Sequence, residues 1–172
     1  MEFFQAVRER QSIRAFKPLP IEPEKLDALF EAVNRAPSAG NLQAFEVVLV
    51  EEAENKERLA RACFQQAFLA EAPLVLVFFA NPERSTPKYG ERGELYALQD
   101  ATIAAAYTQL VAQALGLGSA WVGAFEEQEV REVLQCPAEW IPVCVIPLGH
   151  ANEKPFHTDR RIAEELFHRW GL

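Results

Sequence analysis

The stretch Ala72-Pro73-Leu74-Val75-Leu76-Val77-Phe78-Phe79 is a continuous apolar run of strand length. A strand with no polar alternation has both faces covered, so this one reads as the central, doubly buried strand of a sheet. Around it, Phe45-Glu46-Val47-Val48-Leu49-Val50 reads as a second strand and residues 143–149 as the last. Ala120-Trp121-Val122-Gly123-Ala124-Phe125 reads as a short one. Helical patterns fall at residues 2–9, 22–36, 54–64, 94–115, 127–134 and 159–170. In the second helix Leu26, Leu29, Phe30 and Val33 follow the i, i+3, i+4, i+7 spacing. Pro23 suits its first turn, Glu22 and Glu24 complement the helix dipole, and Pro37 disfavours helix just before it. The longest helix carries Ala101, Ala104, Ala105 and Ala106, small residues that let another helix come close, and Gly116 ends it. In the last helix Ile162, Leu166 and Phe167 share a stripe. Helices and strands mix without a regular βαβ rhythm, so the expected fold class is α+β.

The 172 residues suit a single domain, 1–172, with a full core, and 49% of them are apolar. A formal net charge of −8 argues against nucleic acid and against an anionic membrane surface as partners, while leaving room for one local basic pocket. The amino-terminal residues do not read as a signal peptide, and no apolar span is long enough to cross a bilayer. Cys63, Cys136 and Cys144 are scattered, with no CxxC pair. Such thiols fit core positions in a reducing, cytoplasmic setting. His150, His157 and His168 lie far apart with no acid or Cys at ligand spacing, so no metal site is expected. Nothing resembles a nucleophile elbow or a Cys–His pair. Gly116-Leu117-Gly118 follows a helix and lacks a third glycine, which separates it from a dinucleotide fingerprint.

Two short stretches carry the chemistry. Arg10-Gln11-Ser12-Ile13-Arg14-Ala15-Phe16 places two guanidiniums and a hydroxyl within five residues of an acidic chain. In extended backbone Arg10, Ser12 and Arg14 share one side, and that set suits a phosphate. Pro37-Ser38-Ala39-Gly40-Asn41-Leu42-Gln43, held at a helix end, offers small and amide groups suited to the polar edge of a flat heterocycle. Together they point to a phosphorylated cofactor with an aromatic ring, and FMN is the best candidate. Arg160-Arg161 could add a second basic wall. Gly123-Ala124 would let main chain approach a planar ligand. Trp121 and Phe125 read as core. Residues 81–92, with two prolines, Ser85-Thr86 and Gly90, read as mobile and as a possible substrate lid.

These pieces resemble the nitroreductase-like FMN-dependent oxidoreductases in their short, single-domain form. The resemblance rests on the Arg-x-Ser-x-Arg-x-Phe motif at residues 10–16 and Ala-Pro-Ser-Ala-Gly-Asn-Leu-Gln at 36–43. Ala-Glu-Ala-Pro at 70–73, Gln99-Asp100-Ala101 leading on to Phe125, and Pro-Leu-Gly-His at 147–150 complete it. It implies a mixed, mainly antiparallel sheet flanked by helices, and a homodimer with FMN between the subunits. Arg10, Ser12 and Arg161 would match phosphate and ribityl ligands, with Arg160 the alternative to Arg161 and Gln11 also in the cofactor-binding set, and Arg14 would tune the ring electrostatically. Pro37, Ser38, Ala39, Asn41 and Gln43 would come from the partner chain. Gln66, Gly123 and Ala124 would face the ring, and the helix at 94–115 would lie at the dimer interface. No side chain is required as catalytic acid or base, because the flavin carries the chemistry. The implied activity is hydride transfer from NAD(P)H through FMN to a nitroaromatic, quinone or flavin. Flavin-fragmenting and reductively dehalogenating relatives, or a non-catalytic FMN-binding redox sensor, are the rival readings. Gln11 stands where many members have a second Arg, Ala44-Phe45 where many have Pro-Trp, and Gly123 where larger bacterial enzymes carry Glu. Asp159 stands where a basic phosphate ligand is sometimes found.

Overall fold

A computed structural model describes residues 1–155 and 158–171. Four strands form one sheet in the order β1-β2-β4-β3. They are β1 (Phe45–Val50), β2 (Leu74–Ala80), β3 (Gly118–Ser119) and β4 (Ile141–Gly149), and every neighbouring pair is antiparallel. A single parallel bridge, Ser12 to Ser119, makes the sheet mixed at its edge. The helices are α1 (Phe3–Glu9), α2 (Pro23–Asn34), α3 (Ala53–Ala62), α4 (Phe68–Glu71), α5 (Thr86–Tyr89), α6 (Arg92–Ala114) and α7 (Glu127–Leu134).

All seven residues of β2 are buried, as its unbroken apolar run predicts. Because side chains alternate across a strand, the run divides between two cores. Val75, Val77 and Phe79 pack with Leu59 of α3 and with Val130 and Val133 of α7. Leu74, Leu76 and Phe78 pack with Leu29 of α2 and with Ala104, Ala105 and Ala112 of α6. Ala101, Ala104 and Ala105 of α6 are buried within the chain, letting this helix lie close over the sheet, whereas Ala106 is exposed. Leu95, Leu98 and Tyr107 remain exposed on its other side.

Two expectations are corrected. The short strand at 120–125 is only Gly118–Ser119, with one further bridge from Val122 to Val145. The register that pairs Ser119 with Leu148 puts Ala120 opposite Pro147, which has no N–H to give, so the ladder lapses and resumes two residues later. The final helix at 159–170 is a single 3-10 turn, Ala163–Glu165. Its stripe of Ile162, Leu166 and Phe167 is exposed, and Phe167 keeps 77% of its surface. A helix this short needs a surface to bury its apolar face on, and none of the described residues covers it. Residues 81–92, read above as mobile and as a possible lid, contain a 3-10 turn at Pro82–Arg84 followed by α5. The buried Ser85 hydroxyl staples the segment by donating to the Gly93 carbonyl at 2.7 Å.

Candidate active site

Residues 10–16 run extended along the outer edge of β3. The Ile13 amide donates to the Ser119 carbonyl at 2.9 Å, and further on Lys17 donates to the His150 carbonyl and Asn152 to the Ala15 carbonyl. Ile13 and Phe16 enter the core on the α3 side of the sheet, which turns Ser12 and Arg14 the other way. Gly118 is what allows this approach, since a Cβ there would meet three atoms of Ile13 at 2.9 Å.

The exposed side of this segment borders a cavity of about 320 Å³ lined by Arg10, Gln11, Ser12, Arg14, Thr158 and Arg160. The Arg14 amide donates to the Glu153 carboxylate. Burial, and then the like charge of Arg160, push the Arg10 guanidinium below its ordinary pKa. Three guanidiniums share the cavity with no carboxylate in its lining, so an anion is the ligand that relieves their repulsion. Arg161 faces elsewhere: its Nη2 donates to the Glu165 carbonyl at 2.6 Å. Of the two adjacent arginines, Arg160 is the one at the cavity. Next to it, Arg10 and Ser12 also border a space of about 390 Å³ with Ala106, Gln109, Leu110 and Trp121. Trp121 is thus a surface wall, whereas Phe125 packs against the core as expected.

Gln66 and Ala124 are brought together, outside the lining of the arginine cavity. Phe64 and Gln65, both at positive φ, turn the chain after α3, and the Gln66 side-chain amide donates to the Cys63 carbonyl at 2.9 Å. It also reaches the Ala124 carbonyl at 3.5 Å. Gly123 sits under Trp121, whose ring nitrogen would be 3.1 Å from a Cβ at that position.

The 37–43 loop follows α2. Gly40, Asn41 and Gln43 all have positive φ, a conformation that costs non-glycine residues on the order of 1 kcal/mol or more each. The loop is braced from several sides. The Ser38 hydroxyl accepts from the Gln43 amide at 3.0 Å, and the Gln43 side chain donates to Asn34. The Arg84 side chain donates to the Leu42 carbonyl at 3.1 Å. Beneath, the Asp100 carboxylate of α6 accepts from the Ala39 amide at 2.9 Å and from the Ala44 amide at 3.2 Å. Asp100 is only 2% exposed. Sequence reasoning gave it no role. The available signal was an acid set among the buried alanines Ala97, Ala101 and Ala104, a place where a charge needs donors. Thr158 and Gln109 were also missed, and neither carries a sequence signal.

The loop is not part of the arginine-lined cavity. The helix that carries it is rooted in the α6 side of the sheet through Val33 and Ala36, while Ile13 and Phe16 root the arginines on the opposite side. Among the described residues no group of three His, Cys, Asp or Glu could hold a metal ion, and no helix is long and apolar enough to cross a membrane. His157 lies outside the described residues.

A profile of the Nitroreductase family matches residues 7–68 and 62–150. The chain belongs to the nitroreductase family. Among other members, it is 28% identical to an FMN reductase [NAD(P)H] of Bacillus subtilis over 98% of this chain and 73% of that protein. It is 30% identical to an NADH dehydrogenase of Thermus thermophilus, covering 94% of this chain and 92% of the other. An FMN-dependent nitroreductase of Clostridium difficile superposes with a TM-score of 0.83 at 29% identity, over 98% of this chain and 99% of that one.

Proposed function

We infer that this nitroreductase-family chain is an FMN-dependent NAD(P)H oxidoreductase acting on a small-molecule acceptor such as a nitroaromatic, a quinone or a free flavin. The carrying observation is the cavity ringed by Arg10, Arg14 and Arg160, which fits the phosphate end of FMN in charge and in donor chemistry. Arg10, Ser12 and Arg160 would hold that phosphate, with Gln11 beside them. Arg14 would set positive charge near the ring. Gln66, Gly123 and Ala124 would present polar main chain and an amide to it. Bound FMN supplies the hydride-accepting and hydride-donating centre, so the protein needs to orient and to exclude water and does not need its own acid or base.

Pro37, Ser38, Ala39, Asn41 and Gln43 would reach the flavin from a second copy. What supports this is that none of these loop residues lines the arginine-bordered cavity, together with apolar surface left uncovered at Phe3, Phe4, Leu98, Phe167 and Trp170. A homodimer closes both gaps at once. Three scattered thiols suit a cytoplasmic protein. The test is the visible spectrum of the purified protein, followed by anaerobic addition of NADH or NADPH and then of a quinone. Flavin absorbance that bleaches with the nucleotide and returns with the quinone is expected. A colourless protein that takes up no added FMN would overturn the reading.

A further inference from the structure

α5 and the first turns of α6 carry a cation–aromatic cluster that lies outside the arginine-lined cavity. Tyr89 and Tyr96 pack edge to face, with centroids 4.9 Å apart, and both are half-buried. Lys88 Nζ lies 5.2 Å from the Tyr89 ring, and Arg92 Cζ lies 5.5 Å from the Tyr96 ring. Arg92 Nε also donates to the Tyr96 hydroxyl at 3.0 Å. Both cations are exposed, and neither takes part in the ion pairs among the described residues. The acids nearest in sequence, Glu91 and Glu94, are exposed as well.

The cluster abuts the loop of the candidate site. A Cβ on Gly40 would overlap the Tyr89 hydroxyl and the Lys88 ammonium. The backbone of Gly40 therefore touches the cluster, and α5 and the 37–43 loop form one continuous surface.

We propose that Lys88, Tyr89, Arg92 and Tyr96 form the subsite for the adenosine-phosphate end of the nicotinamide nucleotide. The proposal rests on the oxidoreductase reading above. A nicotinamide nucleotide brings at least two phosphate charges to a chain of net charge −8. The Arg10 cavity is committed to the cofactor's own phosphate, so the reductant needs cations beyond the ring. Lys88 and Arg92 stand beside the loop that would flank the ring, and they are held there by aromatic faces. Tyrosine rings next to cations also suit a stacked purine. A neutral quinone needs none of this, so the cluster separates the two substrates that share the flavin.

The decisive comparison is kcat/KM of the FMN-loaded protein for NADH, NADPH and reduced nicotinamide mononucleotide, with one neutral quinone as acceptor. The mononucleotide lacks the adenosine-phosphate end. Lys88→Ala and Arg92→Ala should each lower kcat/KM for NADH and NADPH about tenfold relative to the mononucleotide. The double variant should also flatten the salt dependence of the NADH KM. A steeper loss for NADPH than for NADH would place a cation at the 2′-phosphate and support the proposal further. An unchanged ratio of dinucleotide to mononucleotide efficiency would overturn it, as would an equal fall for all three. Both positions are exposed, and FMN absorbance and Tm report whether each variant is folded and loaded. Wild-type protein that binds no FMN fails the oxidoreductase reading itself, a result distinct from any behaviour of Lys88 or Arg92.

Discussion

Asp100 and Ala39, 61 residues apart in the chain, are joined by a 2.9 Å hydrogen bond from the Ala39 amide to the Asp100 carboxylate. The second oxygen of the same carboxylate takes the amide of Ala44. One buried side chain on a helix thus holds both ends of the loop in a backbone conformation that its residues would not choose alone. Asp100→Ala leaves two inward amides without an acceptor and should destabilise the fold by about 2–4 kcal/mol. Asp100→Asn retains one acceptor oxygen and should cost roughly half as much. Urea unfolding of the two variants checks the order. Equal midpoints for wild type and Asp100→Ala would show that the clamp does not hold the loop.

Arg160 borders the Arg10 cavity and Arg161 turns back to Glu165. Arg10→Ala and Arg160→Ala should each weaken FMN about 10–100-fold, the span of one charge-assisted contact. Arg161→Ala should change it about threefold or less. Riboflavin, which has no phosphate, should bind the Arg160→Ala variant and the wild type equally. Fluorescence titration with both flavins separates a phosphate contact from a general loss of shape.

Gly118→Ala drives a methyl group into Ile13 and so levers residues 10–14 off the edge of β3. A cost of about 1–3 kcal/mol is expected, seen as a Tm lowered by about 3–10 °C. FMN affinity should fall with it, although position 118 is absent from both cavity linings beside Arg10. A variant with wild-type Tm would mean that the Ile13 side chain can move aside.

Burial pushes the Cys63 thiol up to about 12 and raises Cys144 as well, and it also raises Cys136, against the opposing charge of Arg131. Above about pH 9 the unfolded chain loses thiol protons that the folded chain keeps. The unfolded state then binds fewer protons, so stability falls as pH rises from about 9 toward 12. Denaturant midpoints across that range should decline, and a double Cys63→Ala/Cys144→Ala variant should show a shallower slope. At pH 8 a thiol reagent should reach Cys136 first, because the other two are fully buried.

The centre of the fold was legible because its signals are local and strong. β2 announces itself by an unbroken apolar run, α2 by spacing and prolines, and residues 10–16 by alternation. The lapse of the ladder at Ala120 was not legible, since its cause is Pro147 on another strand, and neither residue reveals the register alone. The 159–170 stripe failed for the opposite reason: the periodicity is present, but no surface among the described residues answers it. At the site, residue types that attract phosphate stood out, whereas Asp100 works through buried backbone amides that only folding brings within reach.

The rooting of Arg10 and of the 37–43 loop in opposite layers of the sheet has a practical outcome. If the loop reaches the flavin from a second copy, as proposed, a lone subunit would grip the anionic tail without the wall that the loop supplies. Retention of the yellow colour would then be a collective property of paired chains, and serial dilution should bleed pigment from the protein well before any chain unfolds.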